Sequence, residues 1–147
     1  MVHRGKVMLA TDGSPTAINA ASWLNDWPHP EEVDVVLATV IAPVSLAWSD
    51  MNTGFSEEAA YINLKEEEDQ TARQSIYETR RKLTQEFSVK EVILRGPIAQ
   101  TLVDYAEKHD IAQIVLGCRG HSVLGNLLGS ISFSVIQRSD LPVTVVG

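Results

Sequence analysis

A chain of 147 residues, 44% apolar and 21% charged, has the length and composition of one globular domain able to bury a sizeable core, rather than of a fibrous repeat or a disordered chain. Its formal net charge of −7 weighs against nucleic acid as a partner, because binding to a phosphate backbone draws on clustered Lys and Arg. The single cysteine, Cys118, leaves no intrachain disulfide, no charged leader opens the chain, and no apolar run approaches the ~18 residues of a membrane span; the expected location is the cytoplasm, off the membrane.

The first apolar run, KVMLA from Lys6 to Ala10, reads as a buried strand ended by Thr11, Asp12 and Gly13. Ser14 then stands as an N-cap before Pro15 at the first helical position, where the missing N–H costs nothing. Ala17, Ala20, Ala21, Leu24 and Trp27 give that helix one apolar face until Pro28 to Pro30 stop it. DVVLATV, Asp34 to Val40, is a second strand. Ile41 to about Ser56 has no clean period and reads as a long loop, of the kind that serves as a lid, a partner surface or a disordered insertion. From Glu57 to Phe87 the spacing of Ala72, Ile76, Thr79, Leu83 and Phe87 predicts one long helix, with the charged run Lys65 to Asp69 as a solvated face. VKEVILRG, Val89 to Gly96, is a third strand, after which Pro97 opens a helix with Ile98, Leu102, Tyr105 and Ala106 inward. AQIVLG, Ala112 to Gly117, is a fourth strand, Ser130 to Arg138 a further helix, and VTVV, Val143 to Val146, the last strand. Strands alternating with helices imply a parallel sheet covered on both faces, a single-domain α/β doubly wound fold over residues 1–147.

In an open parallel sheet, ligands bind beyond the carboxyl ends of the strands where the strand order reverses, and the first and fourth strands are the expected flanks. Two motifs then face one crevice: Asp12 after the first strand, and VLGCRGHSVLGNLLGSIS, residues 115 to 132, after the fourth. Gly117 and Gly120 lack a Cβ, which permits a positive φ and a close approach of backbone to ligand. Gly129 precedes Ser130 and Ser132 at a helix start, where unpaired N–H groups and the helix dipole favour phosphate. Taken alone, such glycines serve equally to shape a turn, and such a serine to cap a helix.

Other chemistries fit less well. Asp12 as the phosphoacceptor of a receiver domain calls for paired acids and another Asp after the third strand, where this chain has LRGP. The P-loop and the dinucleotide-binding glycine fingerprint are absent. Cys118 beside Arg119 reads either as a reactive thiol or as a plain small residue. His3, His29, His109 and His121 show no ligand spacing, so no metal site of their own is expected; Arg119 and His121 sit in the loop where a phosphate would lie.

On these residues the chain resembles the universal stress proteins, in their ATP-binding branch. That family carries G-x2-G-x9-G-[ST] after the fourth strand; this chain has Gly117, Gly120, Gly129 and Ser130 as G-x2-G-x8-G-S, one residue shorter. ATDGSPTA after the first strand, RGPIAQTLVDYA at the third helix and the closing LPVTVV extend the likeness over nearly the whole chain. The resemblance implies an adenine nucleotide alpha hydrolase-like sheet in the strand order 3-2-1-4-5. It also implies Ala10, Asp12 and Val40 around adenine and ribose, with Asp12 accepting from the ribose hydroxyls, and Gly117 and Gly120 beside ribose and phosphates. Gly129, Ser130 and Ser132 would bind the phosphates, and Ile131 would add a main-chain contact; from its place in the loop, Arg119 or His121 is the side chain expected to touch phosphate. The implied ligand is ATP, AMP or ADP, with Mg²⁺ entering only alongside the nucleotide and Asp12 the one acid placed to approach it. A homodimer through the last strand is implied as well. No nucleophile stands with an adjacent base, so binding is expected rather than catalysis; a slow ATPase and a nucleotide-free dimeric scaffold are the alternatives.

Overall fold

The computed structural model describes residues 5–43, 57–118 and 128–147. Strands β1 (Gly5–Ala10), β2 (Val33–Ile41), β3 (Ser88–Arg95), β4 (Gln113–Gly117) and β5 (Val143–Val146) form one sheet in the order β3-β2-β1-β4-β5, each neighbouring pair parallel. Helices α1 (Pro15–Leu24), α2 (Glu57–Arg80), α3 (Ile98–Lys108) and α4 (Ser130–Arg138) connect them, with a short 3₁₀ turn at Pro30–Glu32 before β2. The expected five-stranded doubly wound α/β fold and its strand order are both present.

Alternation along the strands divides the apolar residues into two cores. Val7 and Leu9 of β1, Val33, Val35 and Leu37 of β2, and Val115 of β4 pack with Ala20, Ala21 and Leu24 of α1 and Ile76 of α2. The intervening residues Met8, Ala10, Val36, Ala38, Ile114 and Leu116 pack on the opposite face with Ala99, Leu102, Val103 and Ala106 of α3 and Val135 of α4. Register keeps like with like: Leu9 lies opposite Leu37 and Val115, and Ala10 opposite Ala38 and Leu116. A slip of one residue would turn every one of these side chains to the other layer, so the pattern fixes the pairing. β3, at an edge, exposes Lys90 and Glu91, charges that discourage a further strand from adding there.

Two helices end earlier than the periodicity suggests. α1 stops at Leu24, and the chain tightens: Asn25, Asp26 and Trp27 donate to carbonyls only three residues back, at 3.3, 3.2 and 3.0 Å. Trp27 still rests on the core, edge-on to Trp23 at 5.8 Å between ring centroids. α2 stops at Arg80 in the same manner, with Lys82 and Leu83 bonded three residues back. One side chain joins the two turns. Asn25 donates from Nδ2 to the Lys82 carbonyl at 2.6 Å and accepts from the Thr84 amide at 2.8 Å, so main-chain groups freed at the end of α2 find partners there. Leu83 and Phe87 are buried beyond the helix, as turn residues. Asn25→Ala removes both bonds and is expected to lower the unfolding free energy by about 1–3 kcal/mol, read from the urea midpoint at unchanged slope; an unchanged midpoint would deny the joint.

Candidate functional site

β1 runs between β2 and β4, and the chain turns one way to β2 and β3 and the other way to β4 and β5. The reversal opens a pocket at the carboxyl ends of β1 and β4, enclosing about 540 Å³ of empty space with its open mouth included. Ala10, Asp12, Val40, Gly117, Ile131 and Ser132, all expected from the sequence, line it. Gly129 and Ser130 stand at the start of α4, whose next two residues supply lining. Arg119, Gly120 and His121, and the segment 44–56, lie outside the described residues.

The loop from Thr11 to Ser14 is built from short hydrogen bonds. The Gly13 amide donates to Thr11 Oγ1 at 3.0 Å, and the Ser14 amide donates to Asp12 Oδ1 at 2.9 Å. Gly13 has φ +77, the left-handed region that favours glycine, and an added Cβ would stand 2.9 Å from Ser75 Oγ. Ser14 occupies the N-cap position of α1, but the cap bond expected from its side chain is not made; the residue is buried and lines the pocket.

Gly117 does not take the positive φ that its pattern permits; Gly13 and Gly96 are the positive-φ glycines among the described residues. Instead, a Cβ on Gly117 would lie 2.5 Å from Thr16 Oγ1 and from the Ala17 nitrogen, and 2.6 Å from the Thr16 carbonyl carbon. The first turn of α1 rests directly on bare backbone at the end of β4. Ser132 is likewise committed to structure: it is buried, and its hydroxyl donates to the Gly117 carbonyl at 2.7 Å.

The glycine loop is one residue shorter than the pattern it resembles, yet the helix start is held at the strand end. The Gly129 amide donates to the Cys118 carbonyl at 2.7 Å, and the Cys118 amide donates to Val146 of β5 at 2.7 Å. α4 thus begins beside the end of β4. The amides of Ser130, Ile131 and Ser132, in the first turn, have no acceptor four residues back within the helix. Ile131 and Ser132 of this turn line the pocket, as does Asp12.

The opposite wall is apolar and was not read from the sequence. Ala38 of β2 and Ile98 and Leu102 of α3 line it; Ile98 and Leu102 carried only a helix-period signal, which does not tell core from pocket. Thr11, Ser14, Ala17 and Leu116 complete the lining. Among the described lining residues Asp12 is the only ionisable side chain. Among the described residues, one grouping could offer several metal-ligand atoms, the exposed His29, Glu31 and Glu32, and His29 Nδ1 already lies 3.4 Å from Glu31 Oε1. No helix of the described residues is long and apolar enough to cross a membrane.

Residues 3–147 match the model of the universal stress protein family. The chain belongs to that family. Its likeness to a universal stress protein of Mycobacterium tuberculosis is 29% identity over 152 aligned positions, covering 95% of this chain and 47% of the relative, so the chain spans about half the length of the mycobacterial relatives it matches. A universal stress protein of Methanocaldococcus jannaschii is 28% identical, with 96% of this chain and 81% of the relative covered. Among solved structures, the protein MJ0577, a structural-genomics test case for assigning biochemical function, superposes with a TM-score of 0.79 at 27% identity, covering 99% of this chain and 96% of the other. The same fold, at 20% identity or less, is seen in a universal stress protein in complex with cAMP, one from Arabidopsis thaliana with AMP bound and one from Archaeoglobus fulgidus in complex with dAMP, with TM-scores of 0.62, 0.67 and 0.58.

Gly117→Ala tests the close approach that shapes the site. Forcing a methyl against the start of α1 is expected to cost about 1–3 kcal/mol of stability, seen as a lower thermal midpoint; an unchanged midpoint would mean that α1 does not sit on β4 as described.

Proposed function

We propose that this universal stress protein binds an adenine nucleotide, ATP or its relatives AMP and ADP, as a cytoplasmic stress-response or signalling module whose output is binding rather than turnover. The observation that carries the reading is the meeting of Asp12 and the first turn of α4 across one pocket with an apolar wall. Adenine would lie against Val40, Ile98 and Leu102, with the ribose hydroxyls donating to Asp12. The phosphates would meet the amides of Ser130, Ile131 and Ser132 and the hydroxyl of the exposed Ser130. In this reading Ser132 contributes its main chain, because its hydroxyl hydrogen is given to Gly117.

The residues present fit such a ligand: apolar walls for a base, a carboxylate for a diol, and main-chain donors for anionic oxygens. Bound cAMP, AMP and dAMP in proteins of the same fold support the same choice. Mg²⁺ would arrive on the phosphates, since Asp12 is the one carboxylate among the described lining residues and a lone carboxylate does not cage the ion. The absence of a base beside a nucleophile in that lining favours binding over hydrolysis. A homodimer through β5 belongs to the proposal, supported by the half-buried valines Val143, Val145 and Val146 on an edge strand and by exposed Phe133 and Ile136 on α4.

Native mass spectrometry of the purified protein is expected to show an adenine nucleotide mass that disappears after denaturation and refolding without ligand. In calorimetry on the ligand-free protein, Asp12→Ala is expected to weaken ATP by about 1–3 kcal/mol. Ser130→Ala is expected to weaken ATP while sparing adenosine. No nucleotide at any concentration tried, or an Asp12→Ala variant with parental affinity, would reject the reading.

A further inference from the structure

We propose that Thr79, on α2 and outside the pocket lining, is a positioning residue for Asp12, so that α2 sets how well the site reads the ribose hydroxyls. The inference rests on the nucleotide reading above and concerns the same site.

Thr79 is fully buried, and its hydroxyl donates to the Ser75 carbonyl at 2.7 Å, a bond back along its own helix. A hydroxyl has one hydrogen to give. At the 2.7 Å contact between Thr79 Oγ1 and Thr11 Oγ1, therefore, Thr11 donates and Thr79 accepts. Thr11 Oγ1 in turn accepts the Gly13 amide. The bonds run in one direction, from Gly13 to Thr11 to Thr79 to Ser75, and each hydroxyl hydrogen in the series is used. A second contact fastens the same loop to the same helix: Gly13 lies so close to Ser75 that an added Cβ would stand 3.3 Å from its Cα.

Asp12 sits between the two residues that α2 holds. Its carboxylate accepts from the Ser14 amide, two residues along the loop, and it lines the pocket. Removing the Thr79 hydroxyl leaves the hydrogen of buried Thr11 without its acceptor. The loop relieves that by turning the Thr11 hydroxyl or shifting the backbone, and either movement disturbs the Gly13 bond and the direction of the carboxylate. Hydrogen bonds weaken steeply with angle, so the loss falls on ligands that donate to Asp12. A defect in the core alone would weaken all ligands alike.

The test compares ATP with 2′,3′-dideoxy-ATP, which lacks both ribose donors, by calorimetry on the parent, Thr79→Val, Thr79→Ala and Thr79→Ser. The parent is expected to prefer ATP by about tenfold or more, the value of a hydrogen bond to a charged acceptor. In Thr79→Val that preference is expected to fall to about threefold or less, through weaker ATP binding with the dideoxy ligand nearly unchanged, while Thr79→Ser restores it. Should Thr79→Val not fold, Thr79→Ala removes the same hydroxyl without a methyl against Thr11 and is read in the same way. A parental preference retained in the hydroxyl-free variant, or both ligands weakened by the same factor, overturns the positioning role and leaves the nucleotide reading standing. A parent protein that binds neither ligand, or both equally, overturns the ribose reading itself.

Discussion

The approach of α1 to the end of β4 governs this end of the molecule. Where other residues carry a Cβ, Gly117 offers bare backbone, and the start of α1 settles within 2.5 Å of the position that Cβ would take. The carbonyl of the same glycine accepts the Ser132 hydroxyl, and the next residue, Cys118, bonds through its main chain to both Gly129 and Val146. Two consecutive residues thus gather α1, α4 and β5 around the end of one strand. The pocket is the space this gathering leaves, and its geometry follows from main-chain contacts more than from any single functional side chain.

The layering of the fold was legible because continuous apolar strands alternate with helices, which calls for a sheet buried on both faces: Val7 and Leu9 belong to one core, Met8 and Ala10 to the other. Helix ends were less so. Leu83 and Phe87 keep a helical spacing and are buried, yet they lie past the end of α2. Tight turns preserve the direction of a side chain nearly as well as another helical turn does, so periodicity cannot separate the two. What decides the matter is Asn25, distant in sequence, whose amide bonds the turn from outside.

The site was partly legible for a similar reason. Asp12 and Ser132 stand by a strand end and a helix start that the sequence marks, Ala10, Val40 and Ile131 were implied by the family resemblance, and all five line the pocket. For Gly117 one of the two reasons read from the sequence fails, since a glycine needed for packing and one needed for a positive φ look alike in sequence. Ile98 and Leu102 were hidden because an apolar wall of a pocket has the same spacing as a buried helix face. Thr11 and Thr79 meet across 68 positions, and nothing local marks that pairing. The glycine loop is one residue shorter than the family pattern, yet the Gly129 amide still bonds the Cys118 carbonyl at the end of β4.

In the reading proposed above, binding at this pocket depends on main-chain donors in the first turn of α4 meeting anionic oxygens, with Asp12 opposite. The direct measurement is amide chemical-shift mapping on nitrogen-labelled, ligand-free protein titrated in parallel with ATP and with adenosine. The expected result is that the amides of Ser130, Ile131 and Ser132 move with ATP and stay nearly still with adenosine, while residues lining the apolar wall respond to both. Amides at the start of α4 that ignore ATP, or that move equally with a ligand carrying no phosphate, would contradict it.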